Sequence, residues 1–226
     1  MLTVHHLENS RSQRVVWLLE ELGQPYEIKR YARDPATLRA PAELRAVHPL
    51  GKAPVLEHDG RVIAESGAIV EYLVGMFDAD RALSPRSDAA DDTERMAFRY
   101  WMHYAEGSLM SPLLLSLVFN RVRTAPMPFF ARPIARGIAD KALDTAVWPQ
   151  LKLHLDQVEQ ALTRSAWFAG DRFTAADIQM SYPLEAASHR ALSAERPRTV
   201  DFLERIRTRA PHQRAIGRIG PLQPLA

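Results

Sequence analysis

Three short segments of this chain carry residue types that chemistry would need. The first is Asn9-Ser10-Arg11-Ser12-Gln13-Arg14, where a hydroxyl and two guanidiniums meet the start of a helical pattern. A cation in a first turn is unfavourable to the helix, so Arg11 and Arg14 suit either a solvated surface or a site that receives an anion. Ser10 can cap the helix, a task Ser12 could also perform, or it can offer its hydroxyl to a bound group. The second segment is His48-Pro49-Leu50-Gly51-Lys52-Ala53-Pro54-Val55-Leu56. Gly51 and Pro54 punctuate the approach to a strand, where proline is tolerated at the first residue. A cis Ala53–Pro54 bond would turn the Val55 N–H and C=O outward, free to pair with an extended, peptide-like ligand. The third is Glu65-Ser66, at the opening of a helix. Ser66 can be an N-cap with Glu65 a surface acid beside it. Alternatively, Ser66 and the first-turn amides bind a carboxylate while Glu65 accepts from an ammonium, together holding an amino-acid head group.

The elements that must position these segments alternate between strand and helix over residues 1–77. Leu2 to Leu7 reads as a strand, and Ser12 to Leu22 as a helix with Val15, Leu18, Leu19 and Leu22 on one face, ended by Gly23. Tyr26 to Tyr31 is a second strand, and Pro41 to Val47 has the length of one or two helical turns. Pro54 to His58 and Arg61 to Ala64 form a hairpin about Asp59-Gly60, a strong two-residue turn signal. Ser66 opens a helix containing Ile69, Val70 and Leu73, with Tyr72 nearby. Residues 78–92 are polar with Pro85 in their midst, and read as a linker. Residues 93–226 read as all helix. Met96/Ala97, Tyr100/Trp101 and Tyr104/Ala105 recur at helical spacing, as do Val147, Leu151, Leu155, Val158 and Leu162. Pro126, Pro128 and Pro133 predict a loop or broken helix between Arg123 and Arg136. Thr174-Ala175-Ala176-Asp177 is capping-box-like, with Phe173 and Ile178 placed as a hydrophobic staple. A last helix is expected from Pro197 to Arg209, followed by an irregular tail with Pro211, Gly217, Gly220, Pro221 and Pro224.

The composition narrows the chemistry. With no cysteine among 226 residues, the chain has no disulfide framework, no thiolate metal site and no thiol of its own, so any sulfur must arrive on a ligand. A net charge of +2, from 29 basic and 27 acidic side chains with the arginines scattered, argues against nucleic acid. No apolar run reaches the roughly 18 residues of a membrane helix, and Met1 to His6 starts on strand-like alternation rather than a signal segment. The expectation is a cytoplasmic protein without metal or membrane.

Taken together, the three segments and their order resemble the cytosolic glutathione transferases along nearly the whole chain. The match runs from a strand and a Ser-x-x-x-Arg helix through His48 to Leu56, the hairpin, and Glu65-Ser66-Gly67-Ala68-Ile69. It continues in the helical part through Ala169-Gly170-Asp171-x-Phe173-Thr174-x-x-Asp177-Ile178. Arg33-Asp34, Ala40-Pro41-x-Glu43-Leu44 and His48 to Gly51 look like the fungal and bacterial branch of that family, related to the yeast enzyme and the nitrogen-regulator prion.

This resemblance implies a thioredoxin-like α/β N-terminal domain with cis-Pro54, an all-α C-terminal domain, and a homodimer. It implies that Val55 pairs with the cysteinyl part of glutathione, beside Ala53 and Pro54. Glu65 and Ser66 hold the γ-glutamyl head, and Lys52 lies near the glycine carboxylate. Ser10, or its neighbour Asn9, stabilises the thiolate. The electrophile then lies between the domains against Tyr100, Tyr104, Glu106 and Met110, in or near the helix before Pro112. The implied reaction is conjugation of glutathione to a hydrophobic electrophile. Glutathione-dependent peroxide or disulfide reduction at the same site, and a glutathione-binding regulatory module without catalysis, are the alternatives.

Overall fold

Alternating apolar residues drive the first strand into the centre of a small sheet. In the computed structural model, which describes residues 1–35, 37, 39–86, 92–188 and 195–223, Val4 is fully buried and Leu2 and Leu7 nearly so. This strand, β1 (Leu2–Leu7), lies between β2 (Tyr26–Tyr31), which runs parallel to it, and β3 (Val55–His58), which is antiparallel. The hairpin partner β4 (Arg61–Ala64) forms the other edge, giving the order β2-β1-β3-β4. Its turn places Asp59 at φ 48° and Gly60 at φ 81°, the left-handed pair that a two-residue hairpin needs. Helices α1 (Ser12–Glu21) and α3 (Ser66–Phe77) bury Val15, Val16, Leu18, Leu19, Ile69, Val70 and Leu73, and α2 (Ala42–Val47) buries Leu44. Helix α1 ends in a Schellman closure. Gly23 takes φ 63°, and the Gln24 N–H donates to the Leu19 carbonyl at 3.1 Å.

The polar stretch after α3 is tied down rather than loose. The buried Asp78 carboxylate accepts from the Ala82 and Leu83 N–H groups and the Ser84 hydroxyl at 2.8, 3.0 and 2.7 Å. Arg172, from the helical part, donates to the carbonyls of Arg81, Ala82 and Ser84 and to Glu94. Residues 87–91 of the expected linker lie outside the described residues.

From Thr93 onward the chain is helical, and one core joins it to the sheet helices. Helix α4 (Thr93–Tyr104) runs through a π turn (Ala105–Leu109) into α5 (Met110–Thr124). Helix α6 (Arg132–Ala142) joins α7 (Trp148–Arg164) through a second π turn (Leu143–Val147). A break separates α5 from α6, as the prolines predict. Helix α8 (Ala175–Ser188) is buried on nearly every face. Its N-terminus is secured by Asp177, which accepts from the Thr174 N–H at 2.7 Å, half of the expected capping box, and from the Phe168 N–H at 2.9 Å. Phe173 and Ile178 are both buried in the same core.

Two expectations fail. The tail is not irregular: after α9 (Pro197–Thr208), residues Ala210–Ile219 form α10, with Pro211 in its first turn, where its missing N–H costs nothing. Arg214 and Arg218 on α10 pair with Glu20 on α1, and Arg209 pairs with Glu21. Only from Gly220, at φ 83°, does helix give way, and Pro224 lies outside the described residues. Second, Ser66 is not the N-cap of α3. Glu65 takes that place at φ 71°, ψ 125°, and Ser66 is the first helical residue.

Candidate functional site

The carboxyl end of β1, the start of α1 and the approach to β3 converge on one cavity of about 480 Å³. The loop leaving β1 is shaped from two sides. Arg33 donates to the Glu8 and Asn9 carbonyls at 3.0 and 3.2 Å. Asn9 adopts φ 50°, a region asparagine tolerates, and its side-chain oxygen accepts from the Gln223 N–H of the tail at 2.9 Å. Ser10 lines both this cavity and a separate polar recess under the tail, whereas Asn9 lines only the recess.

Ser10 is buried and ends a short polar chain. Its Oγ lies 2.6 Å from Ser12 Oγ, which lies 2.8 Å from His6 Nδ1. The Ser12 N–H also donates to Ser10 Oγ at 3.3 Å. Burial, with Arg30 adding to it, holds His6 down to about 4, so the imidazole is neutral at pH 7 and has one donor and one acceptor nitrogen. With the proton on Nδ1, His6 donates to Ser12 and Ser12 to Ser10. Both lone pairs of Ser10 Oγ are then filled by Ser12, and its own proton is directed elsewhere. With the proton on Nε2 the chain runs the other way.

Of the other expected site residues, Lys52 and Ala53 line the cavity, and the Ala53–Pro54 bond is cis. Pro54 and Val55 are buried below the wall. Val55 sits in register between His5 on β1 and Ala64 on β4. A strand residue points its N–H and C=O to one side, and both sides of Val55 are occupied by paired strands. Of the expected glutathione-binding stretch Lys52 to Val55, the residues that reach the cavity, before the strand begins, are Lys52 and Ala53. Glu65 is exposed and Ser66 buried at the N-terminus of α3, and neither lines this cavity.

The expected electrophile wall changes more. Met110 is in the cavity, but Tyr100, Tyr104 and Glu106 are not among its lining residues. Tyr104 is a core residue whose hydroxyl lies 2.6 Å from His154 Nδ1, and Tyr100 is half exposed, its ring 5.3 Å from that of Tyr104. The Glu106 carboxylate pairs with Arg11 at 3.1 Å and with Arg14, whose buried guanidinium also donates to the Gln179 carbonyl at 2.7 Å. The anion that Arg14 receives is thus the protein's own. The cause is the π turn at Ala105–Leu109: the added residue rotates the following helix relative to the Tyr100/Tyr104 stripe. The far side of the cavity is formed by Leu113, Leu114 and Leu117 of α5, Tyr182 and Ala186 of α8, and Leu222 and Gln223 of the tail. A run of leucines along α5 was the available signal for the first three; nothing local marked the others.

Residues 10–74 match the model for the glutathione S-transferase N-terminal domain, and residues 120–210 that for the C-terminal domain. Glutathione S-transferase 1 of Saccharomyces cerevisiae is 37% identical over 202 residues, covering 86% of this chain and 84% of that protein. The chain belongs to the glutathione transferase family. Glutathione S-transferase 3 of Schizosaccharomyces pombe is 39% identical, over 85% of this chain and 77% of its own. A glutathione S-transferase structure from Actinobacillus pleuropneumoniae superposes on this transferase with a TM-score of 0.81 at 33% identity, over 99% of this chain and 95% of the other. The thioredoxin-like sheet domain and helical C-terminal region are those of the family. Among the described residues, no helix of the transferase is long and apolar enough to cross a membrane.

Proposed function

We propose that this transferase binds glutathione along the Ala53 edge, activates its thiol through Ser10, and joins it to an electrophile held against α5. The observation carrying this reading is the His6–Ser12–Ser10 chain, which ends at a cavity with an apolar far wall. Glu65 supports the placement of the γ-glutamyl head. A non-glycine residue held at φ 71° in a strained region presents an exposed carboxylate beside the Ser66 hydroxyl and the α3 amides. Lys52 supplies a cation for the glycine carboxylate. A homodimer in the cytoplasm belongs to the same reading; exposed Val62, Met76 and Met96 on β4, α3 and α4 are apolar surface that a second subunit would cover. Sedimentation tests that part.

A free thiol has a pKa near 8.5, so only a few per cent is thiolate at neutral pH. A hydrogen bond to a charged acceptor contributes about 1.5–3 kcal/mol, or roughly one to two pKa units. The nucleophile therefore gains at most tens of fold, and the rest comes from positioning. The thiolate sulfur forms a bond to the electrophilic carbon, the leaving group departs with the bonding pair, and the thiol proton passes to solvent.

Ser10→Ala is expected to lower turnover at least tenfold with little loss of glutathione affinity. If turnover is unaffected while Asn9→Ala abolishes it, the assignment to Ser10 fails. Rates with a chloronitrobenzene and with a hydroperoxide separate conjugation from reduction, and glutathione binding without turnover of either would mark a regulatory module.

A further inference from the structure

The cavity is more basic than glutathione requires. Its lining holds Arg11, Arg33, Arg39, Arg45 and Lys52 and, among the described residues, no Asp or Glu. Behind the wall, the Glu106 carboxylate is shared between Arg11 and Arg14, so one carboxylate faces two guanidiniums, and Glu8 lies within the electrostatic reach of Arg33. On the reading above, glutathione brings only its glycine carboxylate and its thiolate to this space, because Glu65 and Ser66 lie outside it. Lys52, with Arg45 packed against Gly51, suffices for the glycine end.

The surplus has a focus at Tyr182. Its ring lies under the Arg14 guanidinium at 5.4 Å, its hydroxyl is within the electrostatic reach of Arg11, Arg14 and Arg33 and of the one carboxylate Glu106, and it lines the cavity. Arg33 is anchored by the Glu8 and Asn9 carbonyls, beside Ser10. Across from this cluster stand Leu113, Leu114 and Leu117. A phenolic donor among guanidiniums fits a carboxylate, sulfonate or phosphate, and the leucines fit an aromatic or aliphatic body.

We infer that the preferred acceptor is an anionic amphiphile, its charged group held at Tyr182 and Arg33 and its apolar body on α5. This rests on the conjugation reading and names the substrate class. In the step, the sulfur–carbon bond forms and the carbon–halide bond breaks with the pair leaving on the halide; the anionic group does not react.

The test compares chlorodinitrobenzene with chlorodinitrobenzoate, each kcat/KM divided by the acceptor's spontaneous rate with free glutathione. The expected ratio favours the benzoate about tenfold at low salt, the size of one charge-assisted contact, and shrinks as salt is added. In Tyr182→Phe and in Arg33→Gln the ratio falls severalfold towards one. Both acceptors share the same thiolate, so any loss of thiol activation in a variant cancels in the ratio. Turnover of both acceptors with a ratio near one in the parent overturns this inference and leaves the conjugation reading standing. A preference that survives both substitutions overturns the assignment to Tyr182 and Arg33. Glutathione binding without turnover of either acceptor overturns the conjugation reading, and this inference with it.

Discussion

Asp177 offers a stringent test of how the helical part is held. Its carboxylate is fully buried and accepts three bonds, from the Phe168 N–H at 2.9 Å and from the Thr174 N–H and hydroxyl at 2.7 and 3.1 Å. Asp177→Ala would orphan two buried backbone donors, while the Thr174 hydroxyl can turn to another acceptor. At about 1–3 kcal/mol for each orphaned group, the loss is about 2–6 kcal/mol. Against it stands the cost of burying a charge: desolvation outweighs the hydrogen bonds and pushes Asp177 up to about 6. A group raised in the folded state stabilises it most below the unfolded pKa, and that stabilisation is lost as pH rises through 6. Linkage between the ordinary carboxylate value of about 3.9 and the shifted one makes the Ala variant's deficit larger at pH 5 than at pH 7, by roughly 1.3 kcal/mol. Urea unfolding followed by tryptophan fluorescence at the two pH values reads both quantities, and an unchanged m-value ensures that the comparison is of stability. A loss below about 1 kcal/mol at pH 7 would refute the accounting of orphaned donors. A deficit that shrinks at pH 5 would show that the three hydrogen bonds, and not desolvation, dominate this carboxylate.

Ser12→Ala removes one of the two groups that bond Ser10 Oγ, the hydroxyl, while the backbone N–H remains, and is expected to cut turnover about five- to tenfold through loss of one neutral hydrogen bond, with glutathione affinity held. Steady-state kinetics beside direct glutathione titration measure this; equal losses in both would mean that Ser12 acts on binding. His6 and His212 are each held down to about 4, chiefly by burial. The unfolded chain therefore binds more protons between about 6.5 and 4, and stability falls as pH drops through that window, by up to about 2–3 kcal/mol for each histidine. Asp177 and Glu185, both raised by burial, oppose this, but His5 and His154 are lowered by burial as well, so denaturation midpoints should decline from pH 6.5 to 4; a flat profile would contradict the histidine shifts. Tyr104→Phe loses the bond to His154 and should cost about 1 kcal/mol of stability without changing KM for the acceptor. A raised acceptor KM would return Tyr104 to the electrophile wall.

The half of the site assigned to glutathione and the half assigned to its acceptor were unequally legible in the sequence, for a physical reason. Ser10, Ala53, Glu65 and Ser66 stand where elements begin or end, and such points carry local signals: a cap-forming hydroxyl, a proline before a strand, a hairpin turn upstream. Even there the resolution was one or two residues. Ala53 and Val55 were expected together at the ligand, because only pairing with His5 and Ala64 shows where the strand takes up its hydrogen bonds. The cavity side proposed for the acceptor is built from mid-helix faces, and a helical face is predictable only while the period holds. The π turn from Ala105 to Leu109 breaks it, so Tyr100 and Tyr104 turn into or along the bundle while Leu113, Leu114 and Leu117 reach the cavity. Glu106 stands outside the cavity lining for another reason. Its partner Arg14 lies 92 residues away, across the joint between sheet and bundle, and neither sequence neighbourhood reveals the pairing. That pair ties α1 to the π turn, with Arg11 on the same Glu106 carboxylate. The charge placed for an acceptor and the hydroxyl placed for a thiol are therefore held by one contact, and changes at Glu106 should disturb both.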